Sequence, residues 1–266
     1  EELSAFEKFD TMSNTKDMGK PYDQFILFGD SITQMSNDMQ LGFGLQPALQ
    51  DAYVRKLDVI NRGFGGYNTN HALHVLPRFM PSPEAATVRF MTIFFGANDS
   101  CVPGQSQHIP IPQFKENLKA LAKHSAVLAQ PDLHIIFITP PPINEYQLEG
   151  FDNGKNYNHP SRTAALAKAY SEAVKEVGTD LGIPTADIWT SFMTSVGWEE
   201  GQPFIGSRDL SQNEQFAALF SDGLHLTGAG YRLVFAEVRK VIEANWPAQS
   251  PSALPMVYPA WDVFDL

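Results

Sequence analysis

This sequence has five short turn-like segments, and four of them carry Gly, Ser, Asn, Asp or His, the residue types that an acyl-transfer site would draw on. In chain order they are Gly29-Asp30-Ser31, Gly63-Phe64-Gly65-Gly66, Gly96-Ala97-Asn98-Asp99, Thr139-Pro140-Pro141-Pro142 and Asp222-Gly223-Leu224-His225. A serine nucleophile needs a base within hydrogen-bond reach, and the base needs a third group that fixes its tautomer. Ser31, His225 and Asp222 supply these three residue types, so the pattern favours acyl transfer.

Ser31 stands where an apolar run, FILF, ends and residues that can open a helix begin. A serine at this point exposes its hydroxyl at the end of a strand, but it is equally well explained as a helix N-cap. Asp222 and His225 lie three residues apart in a turn, where each also has an ordinary structural role. The interpretation as catalytic residues depends on all three occurring together.

The glycine-rich segment at residues 63–66 and the segment that contains Asn98 could stabilise the negative charge that develops on a substrate oxygen. The glycines at 65 and 66 let the backbone approach a ligand closely, and either could donate its N–H. Asn98 offers a side-chain amide, although an asparagine here also suits an Asx turn. Taken by themselves, both segments are also well explained as tight turns, so the residue types alone leave this role open.

The elements that must position these segments alternate between short β-rich runs and longer helical patterns. The predicted strands are QFILF, LDVIN, VRFMTIFFG, HIIFIT and PTADI. The predicted helices cover residues 44–56, 68–79, 112–129, 162–181 and 227–245. This alternation favours a three-layer α/β/α sandwich around a doubly wound, five-stranded parallel sheet, in which ligands bind at the carboxyl ends of the strands. Four of the five segments follow predicted strands, and Asp222-Gly223-Leu224-His225 stands just before the last predicted helix.

The chain of 266 residues is expected to form one main domain with two extensions. Residues 1–22 are polar and predict an N-terminal arm, and residues 23–246 hold the enzyme-like pattern. Residues 247–266 are rich in proline and aromatic residues, which favours a tail that docks on the body or on a second subunit.

Charge and cysteine content exclude several function classes. A formal net charge of −11 gives neither nucleic acid nor an anionic membrane a broad basic face to bind. Cys101 is the single cysteine, so neither an internal disulfide nor a thiolate metal cluster can form. The sequence starts at Glu1 without a basic or apolar leader region, so we expect a leader to be either absent or already removed. The cysteine content leads us to expect a cytoplasmic protein, and a secreted mature form stays open.

Other candidate chemistry is weaker. His71 and His74 lie three apart on a predicted helix and could share a metal, but no third ligand stands near them. The glycines at 63–66 do not continue into a dinucleotide-binding pattern, because position 68 is Asn. We therefore expect no metal and no cofactor, and a small-molecule substrate as the partner.

Four blocks of the sequence, GDSIT, NRGFGGYN, GAND and DGLH, resemble those of the SGNH (GDSL-type) hydrolases, and most closely the fungal isoamyl acetate-hydrolysing esterases. The resemblance covers residues 25–246. It implies a flavodoxin-like sandwich with strand order 2-1-3-4-5. It also implies Ser31 as nucleophile, His225 as base and then acid, and Asp222 as its orienting group. The oxyanion hole that it implies consists of the N–H groups of Ser31 and Gly66 and the side-chain amide of Asn98, with Gly65 as the neighbouring alternative to Gly66. Gln34 departs from the acidic residue that often follows GDSIT.

The activity implied by the resemblance is hydrolysis of short-chain acetyl esters through an acyl-enzyme. Residues 143–159 and 196–220 are expected to form a wall or lid. Relatives of this kind are often dimers, so a homodimer is one expected assembly. Three alternatives stay open at the sequence level: deacetylation of a larger sugar or secondary metabolite, a non-catalytic binding module with the same fold, and a phosphate or flavin binder.

Overall fold

The computed structural model describes residues 22–40, 42–155, 160–258 and 261–263. Its sheet has five parallel strands in the order β2-β1-β3-β4-β5, which confirms the predicted topology. The strands are β1 (Asp23–Gly29), β2 (Leu57–Gly63), β3 (Val88–Phe94), β4 (His134–Ile138) and β5 (Thr185–Ala186). All five carboxyl ends therefore lie along one edge of the sheet.

Helices follow each strand and cover both faces of the sheet, which confirms the three-layer architecture. The α-helices of the described residues are α1 (Ser31–Gln34), α2 (Leu45–Ala52), α3 (Thr69–Phe79), α4 (Ile111–Ala122), α5 (Ser125–Leu128), α6 (Glu145–Gly154), α7 (Ala164–Leu181), α8 (Ile188–Ser195), α9 (Glu214–Ala217) and α10 (Gly228–Asn245). Short 3₁₀ turns lie at Met35–Asn37, Pro247–Gln249 and Trp261–Val263.

The alternation of side chains in β1 explains why helices cover both faces. Phe25 and Leu27 point into a core shared with α2, α8 and α10, whereas Ile26 and Phe28 point into a second core shared with α3, α4 and α7. All four side chains are buried. Because both faces of the strand bury apolar groups, the strand reads as a continuous apolar run.

Two predicted helices differ in their extent from those observed. The helix expected over residues 112–129 is divided into α4 and α5, because His124 adopts an extended conformation and its Nδ1 accepts the Ala126 N–H at 3.2 Å. The helix expected over residues 44–56 ends at Ala52, and Arg55 has a positive φ of 62°. In both cases the chain turns where apolar periodicity alone would have continued the helix.

The expected helix over residues 162–181 begins two residues later than predicted, and the fifth strand is shorter. Thr163 is the N-cap of α7, and its hydroxyl accepts the Leu166 N–H at 3.2 Å. Arg162 therefore lies in the preceding loop. PTADI contributes only Thr185 and Ala186 to the sheet.

The two chain extensions are described only in part. Of the predicted arm at residues 1–22, all but Tyr22 lies outside the described residues. The C-terminal segment packs beside α2, where Tyr53 Oη donates to Gln249 O at 3.0 Å and the Val257 N–H donates to Arg55 O at 2.9 Å. The domain boundaries at 23 and 246 stay a prediction.

Within the described ranges, the model contains no helix with both the length and the apolar character needed to cross a lipid bilayer.

Glycines at the strand ends allow α1 to pack directly on the sheet. A Cβ atom at Gly63 would lie 1.9 Å from the backbone N of Gln34, and one at Gly29 would lie 2.1 Å from Thr33 Oγ1 and 2.6 Å from Phe94 O. Backbone atoms cannot rotate out of such a contact. These two positions therefore require glycine for the turn at Ser31 to form.

We predict that Gly63→Ala lowers the free energy of unfolding by about 1–3 kcal/mol, because the added methyl group meets the backbone of α1. Urea unfolding would measure the loss. Gly150→Ala is the matched control: Gly150 lies within α6 with nothing within 4 Å of an added Cβ. Alanine there should leave stability unchanged or raise it by up to about 1 kcal/mol. Equal stability of Gly63→Ala and the wild type would contradict the close packing.

A buried carboxyl group, that of Asp99, ties the end of β3 to the start of α3. Asp99 Oδ1 accepts the backbone N–H of Thr69 at 2.9 Å and its hydroxyl at 2.5 Å. The Asp99 side chain is fully buried, and this burial raises its pKa to about 7. The carboxyl group is therefore protonated in the folded chain at pH values where an unfolded aspartate has lost its proton.

This raised pKa predicts a pH dependence of stability. Between about pH 4 and pH 7 the folded chain binds more protons than the unfolded chain, so the free energy of unfolding falls as the pH rises through that window. Asp99→Asn should reduce this slope by up to about 1.4 kcal/mol per pH unit, since it removes one titrating group. Urea unfolding at several pH values would measure the slope, with Asp58→Asn at an exposed position of β2 as the control. An unchanged slope in Asp99→Asn would contradict the assignment.

Candidate active site

Ser31 is the first residue of α1, and Asp30 rather than Ser31 caps that helix. The side-chain oxygen Oδ1 of Asp30 accepts the Ile32 N–H at 2.9 Å. The alternative interpretation of Ser31 as the N-cap is therefore wrong, because the adjacent carboxylate already fills that role. The Ser31 hydroxyl is left available for another partner.

That partner is His225, which lies 194 residues further along the chain. Ser31 Oγ is 2.9 Å from His225 Nε2, and His225 Nδ1 is 2.7 Å from Asp222 Oδ2. A carboxylate can only accept, so His225 donates through Nδ1 and leaves Nε2 free to accept the Ser31 proton. The structure thus brings the three residues of the sequence hypothesis into one hydrogen-bonded chain.

Asp222 is held in the form this chain requires. Its Oδ1 accepts the backbone N–H groups of Leu224 and His225 at 3.0 and 2.8 Å. Burial raises the pKa of Asp222, but the hydrogen bond and charge of His225, together with these two N–H groups, outweigh it and hold the pKa below its usual value. The Asp222 carboxylate therefore stays ionised and fixes the His225 tautomer.

The loop that carries Asp222 and His225 packs against α6, and the helix that follows this loop contacts the turn that carries Ser31. Gly223 has a positive φ of 89°, and a Cβ there would lie 2.4 Å from Asn144 O and 2.5 Å from Leu148 N at the start of α6. From α10, the buried Tyr231 hydroxyl donates to Ile32 O at 2.7 Å. The last helix is thereby joined directly to the turn that holds Ser31.

The glycine turn after β2 presents one free N–H. Gly65 donates its N–H to Gln34 Oε1 at 2.8 Å, whereas the Gly66 N–H has no acceptor among the described residues. Gly66 has a positive φ of 80°, and its carbonyl accepts from Gln107 Nε2 at 2.8 Å. Gln34 therefore occupies the Gly65 donor, which favours Gly66 over Gly65 for contact with a ligand.

Asn98 is buried, and its amide is oriented by three partners. Its Nδ2 donates to Tyr67 O at 2.9 Å, while its Oδ1 accepts from Arg162 Nη2 at 2.9 Å and from Gln107 Nε2 at 3.2 Å. Because Nδ2 carries two hydrogens, one remains for a ligand. These three side-chain contacts go beyond what the role of Asn98 in an Asx turn would require.

Sequence reasoning missed Arg162 and Gln107. Arg162 was expected to begin a helix, but it lies in the loop before α7, where its Nε donates to Ala97 O at 2.6 Å and its Nη1 to Ser161 Oγ at 3.2 Å. Its side chain is buried. Thr163 is a strong N-cap residue and could have placed Arg162 outside the helix, but no local pattern indicates its contact with Asn98.

The expected wall is only partly observed beside the site. The ring of Phe151, in α6, lies edge-on to His225 with 6.1 Å between the centroids. Trp198 instead packs against Trp189, and Phe216 and Phe220 are buried in the core. These three aromatic residues of the 196–220 segment serve packing. Residues 156–159 of the other segment lie outside the described ranges.

His71 has a structural role on α3. Its Nδ1 accepts the Asn68 N–H at 3.2 Å, and its own N–H donates to Asn68 Oδ1 at 3.1 Å, which forms a capping box at the start of the helix. Across the described part of the chain, no group of three or more His, Cys, Asp or Glu side chains could hold a metal ion.

Curated proteins of known class align over almost the whole chain. A GDSL esterase/lipase of Arabidopsis thaliana is 34% identical over 247 residues, which cover 89% of this chain and 91% of the relative. The isoamyl acetate-hydrolyzing esterase 1 homolog of Bos taurus is 35% identical over 250 residues, which cover 90% of this chain and 87% of the relative.

Among solved structures, the lipase/acylhydrolase from Enterococcus faecalis matches with a TM-score of 0.59 and 23% identity, and the match covers 84% of this chain and 96% of that chain. At this identity the likeness shows the fold. The profile of the GDSL-like Lipase/Acylhydrolase family matches residues 27–233, a span that begins within β1 and ends within α10. The chain therefore belongs to the GDSL-like lipase/acylhydrolase family and is an ester hydrolase.

Proposed function

We propose that this protein hydrolyses short-chain acyl esters, acetate esters foremost, through a covalent acyl-enzyme formed on Ser31. The observation that carries the proposal is the hydrogen-bonded chain from Ser31 through His225 to Asp222, with distances of 2.9 and 2.7 Å. The order nucleophile, base and orienting carboxylate is the arrangement that activates a serine hydroxyl.

In the acylation step, Ser31 Oγ attacks the ester carbonyl carbon while His225 Nε2 takes the hydroxyl proton. The resulting imidazolium is stabilised by the Asp222 carboxylate at Nδ1. The tetrahedral intermediate collapses with cleavage of the bond to the alcohol oxygen. His225 then gives its proton to the leaving alkoxide.

Three donors are proposed to stabilise the negative charge on the substrate oxygen: the backbone N–H groups of Ser31 and Gly66, and Nδ2 of Asn98. The free Gly66 N–H and the uncommitted hydrogen of Asn98 Nδ2 support this choice. Each preorganised donor of this kind is typically worth about 3 kcal/mol of transition-state stabilisation.

In deacylation, water takes the place of the serine as nucleophile. His225 removes a proton from the water as it attacks the acyl carbon, and then returns a proton to Ser31 Oγ as the acid leaves. Every catalytic group in both steps is a side chain or backbone N–H of the protein. The scheme therefore uses neither a metal nor a cofactor.

The preference for acetate is supported by kinship to proteins called isoamyl acetate-hydrolyzing esterase 1 homologs, 35% identical in the example from Bos taurus. The alternative is deacetylation of a larger acetylated sugar or secondary metabolite by the same residues. Both share the acyl group and differ in the alcohol. A non-catalytic binding module has no use for an ordered Ser31–His225 contact.

We predict that a serine-directed phosphonate labels the protein once, at Ser31, because the His225 base activates only that hydroxyl. Intact mass would give the stoichiometry, and fragmentation of the peptide that contains GDSIT would give the site. Ser31→Ala should abolish both labelling and esterase activity.

Ser36→Ala is the matched control for this experiment. Ser36 lies five residues further along and is buried, and its hydroxyl accepts from Asn61 Nδ2 at 3.3 Å rather than contacting His225. The variant should be labelled like the wild type. Esterase activity that persists in Ser31→Ala, or a label at another serine, would contradict the assignment of the nucleophile.

The substrate class can be tested with p-nitrophenyl esters of increasing acyl length and with an acetylated xylo-oligosaccharide. We predict that kcat/KM is highest for acetate and falls by about tenfold or more towards octanoate, since the proposed acetate preference requires an acyl pocket too small for added methylenes. A far higher kcat/KM on the acetylated sugar would favour the deacetylase alternative. A preference for octanoate would contradict both.

A further inference from the structure

The side-chain oxygen of Asn98 accepts hydrogen bonds from two side chains, those of Gln107 and Arg162. Arg162 Nη2 lies 2.9 Å and Gln107 Nε2 3.2 Å from Asn98 Oδ1. Arginine has no acceptor, so an Asn98 amide turned by 180° would set its NH₂ group against the guanidinium donor. The two contacts therefore determine which end of the amide faces the active site.

Arg162 is a buried cation whose hydrogen bonds go to neutral oxygens. Its partners are Ala97 O, Ser161 Oγ and Asn98 Oδ1, and among the described residues no carboxylate lies within 4.0 Å of its nitrogens. Burial of a charge without an adjacent counterion costs free energy. A residue that serves only to join two loops could do so without this cost.

The charge of Arg162 also reaches the turn that carries Ser31. Burial raises the pKa of Asp30 to about 6, and the Ile32 N–H and the positive charge of Arg162 oppose that rise. Asp30 is adjacent to Ser31. The guanidinium is therefore close enough to influence charge that develops at the nucleophile, and electrostatic effects are strong where water is excluded.

Gln107 joins Asn98 to the glycine turn. Its Nε2 donates both to Gly66 O, at 2.8 Å, and to Asn98 Oδ1, at 3.2 Å. The amide of Asn98 in turn donates to Tyr67 O, one residue beyond Gly66. The Gly66 and Asn98 donors are thus connected by two separate hydrogen-bonded links.

We propose that Arg162, assisted by Gln107, is a positioning residue for ester hydrolysis: it fixes the Asn98 amide with one N–H towards the substrate oxygen and polarises that N–H as negative charge forms. This inference rests on the proposed role of Asn98 in the oxyanion hole. A neutral substrate carbonyl gains little from a more polarised donor, whereas the tetrahedral oxyanion gains much. The effect therefore belongs to kcat rather than to KM.

A double-mutant cycle between Arg162 and Asn98 tests the proposal. The variants are Arg162→Met, Asn98→Ala and the pair together, with kcat computed per active site titrated by a p-nitrophenyl acetate burst. We expect Asn98→Ala to lower kcat on the order of 10² to 10³-fold with KM little changed. Arg162→Met should lower kcat by roughly tenfold or more, and the double variant should be no slower than Asn98→Ala alone.

Two further variants separate positioning from folding. Arg162→Lys keeps the charge but loses the planar fork, so its kcat should lie between those of the wild type and Arg162→Met. Arg89→Met is the matched control: Arg89 pairs with Asp23 near the start of β1, far from the carboxyl ends of the strands. It should lower stability and leave kcat per titrated site unchanged.

If Arg162→Met yields no folded protein, Gln107→Met replaces it in the cycle, because Gln107 is only half-buried and contacts the same Asn98 oxygen. Its kcat loss should be clearly smaller in the Asn98→Ala background, where only its bond to Gly66 O remains to be lost. An alkyl boronic acid, which forms an anionic tetrahedral adduct on serine, should lose affinity in parallel with kcat.

The outcomes distinguish this inference from the proposed function. Equal losses from Arg162→Met in the wild-type and Asn98→Ala backgrounds would mean that Arg162 acts independently of Asn98, and the inference would be wrong while the catalytic scheme stood. Wild-type kcat per site in Arg162→Met would also overturn it. Wild-type kcat in Asn98→Ala itself would remove Asn98 from the oxyanion hole, and the inference would fail with that assignment.

Discussion

The hydrogen bond between Ser31 and His225 joins residues near the two ends of the chain, and much of the fold serves to place its two atoms 2.9 Å apart. Ser31 is placed by β1 and by the glycines that let α1 lie against the sheet. His225 is placed by a loop whose glycine at 223 fits against α6. Tyr231 closes the arrangement, because its hydroxyl binds the carbonyl of Ile32 at 2.7 Å. A displacement of either Ser31 or His225 would therefore disturb the position of the other.

Three carboxyl groups near this bond have different roles because their surroundings differ. Asp222 is partly exposed and bonded to His225, so its pKa is lowered and it remains charged. Asp30 and Asp99 are buried, and burial raises the pKa of Asp30 to about 6 and that of Asp99 to about 7. The latter two accept backbone N–H groups at the starts of α1 and α3. They hold the loops, whereas Asp222 serves the histidine.

Local patterns of apolar runs, glycines and short motifs predict the parallel sheet and the family, and the resemblance to that family implies the strand order. The sequence also predicts that Ser31, His225 and Asp222 come together. It cannot predict the role of Arg162, because Arg162 lies 64 positions after Asn98 in the chain and no local periodicity indicates their contact. The sequence likewise cannot decide between Gly65 and Gly66 as donor, because the Gly65 N–H is occupied by the Gln34 side chain, 31 residues away from Gly65.

We propose that one preorganised site unites the Ser31 nucleophile with hydrogen-bond donors from three different loops. A crystal structure of the covalent phosphonate adduct tests it most directly, since the phosphoryl oxygen occupies the position of the oxyanion. We expect phosphorus bonded to Ser31 Oγ and its oxygen within about 2.7–3.1 Å of the Ser31 N, Gly66 N and Asn98 Nδ2 atoms. The Gln34 contact to Gly65 and the Arg162 contact to Asn98 should be unchanged. A phosphoryl oxygen that points to solvent, or that binds Gly65 N after Gln34 has moved away, would contradict the account.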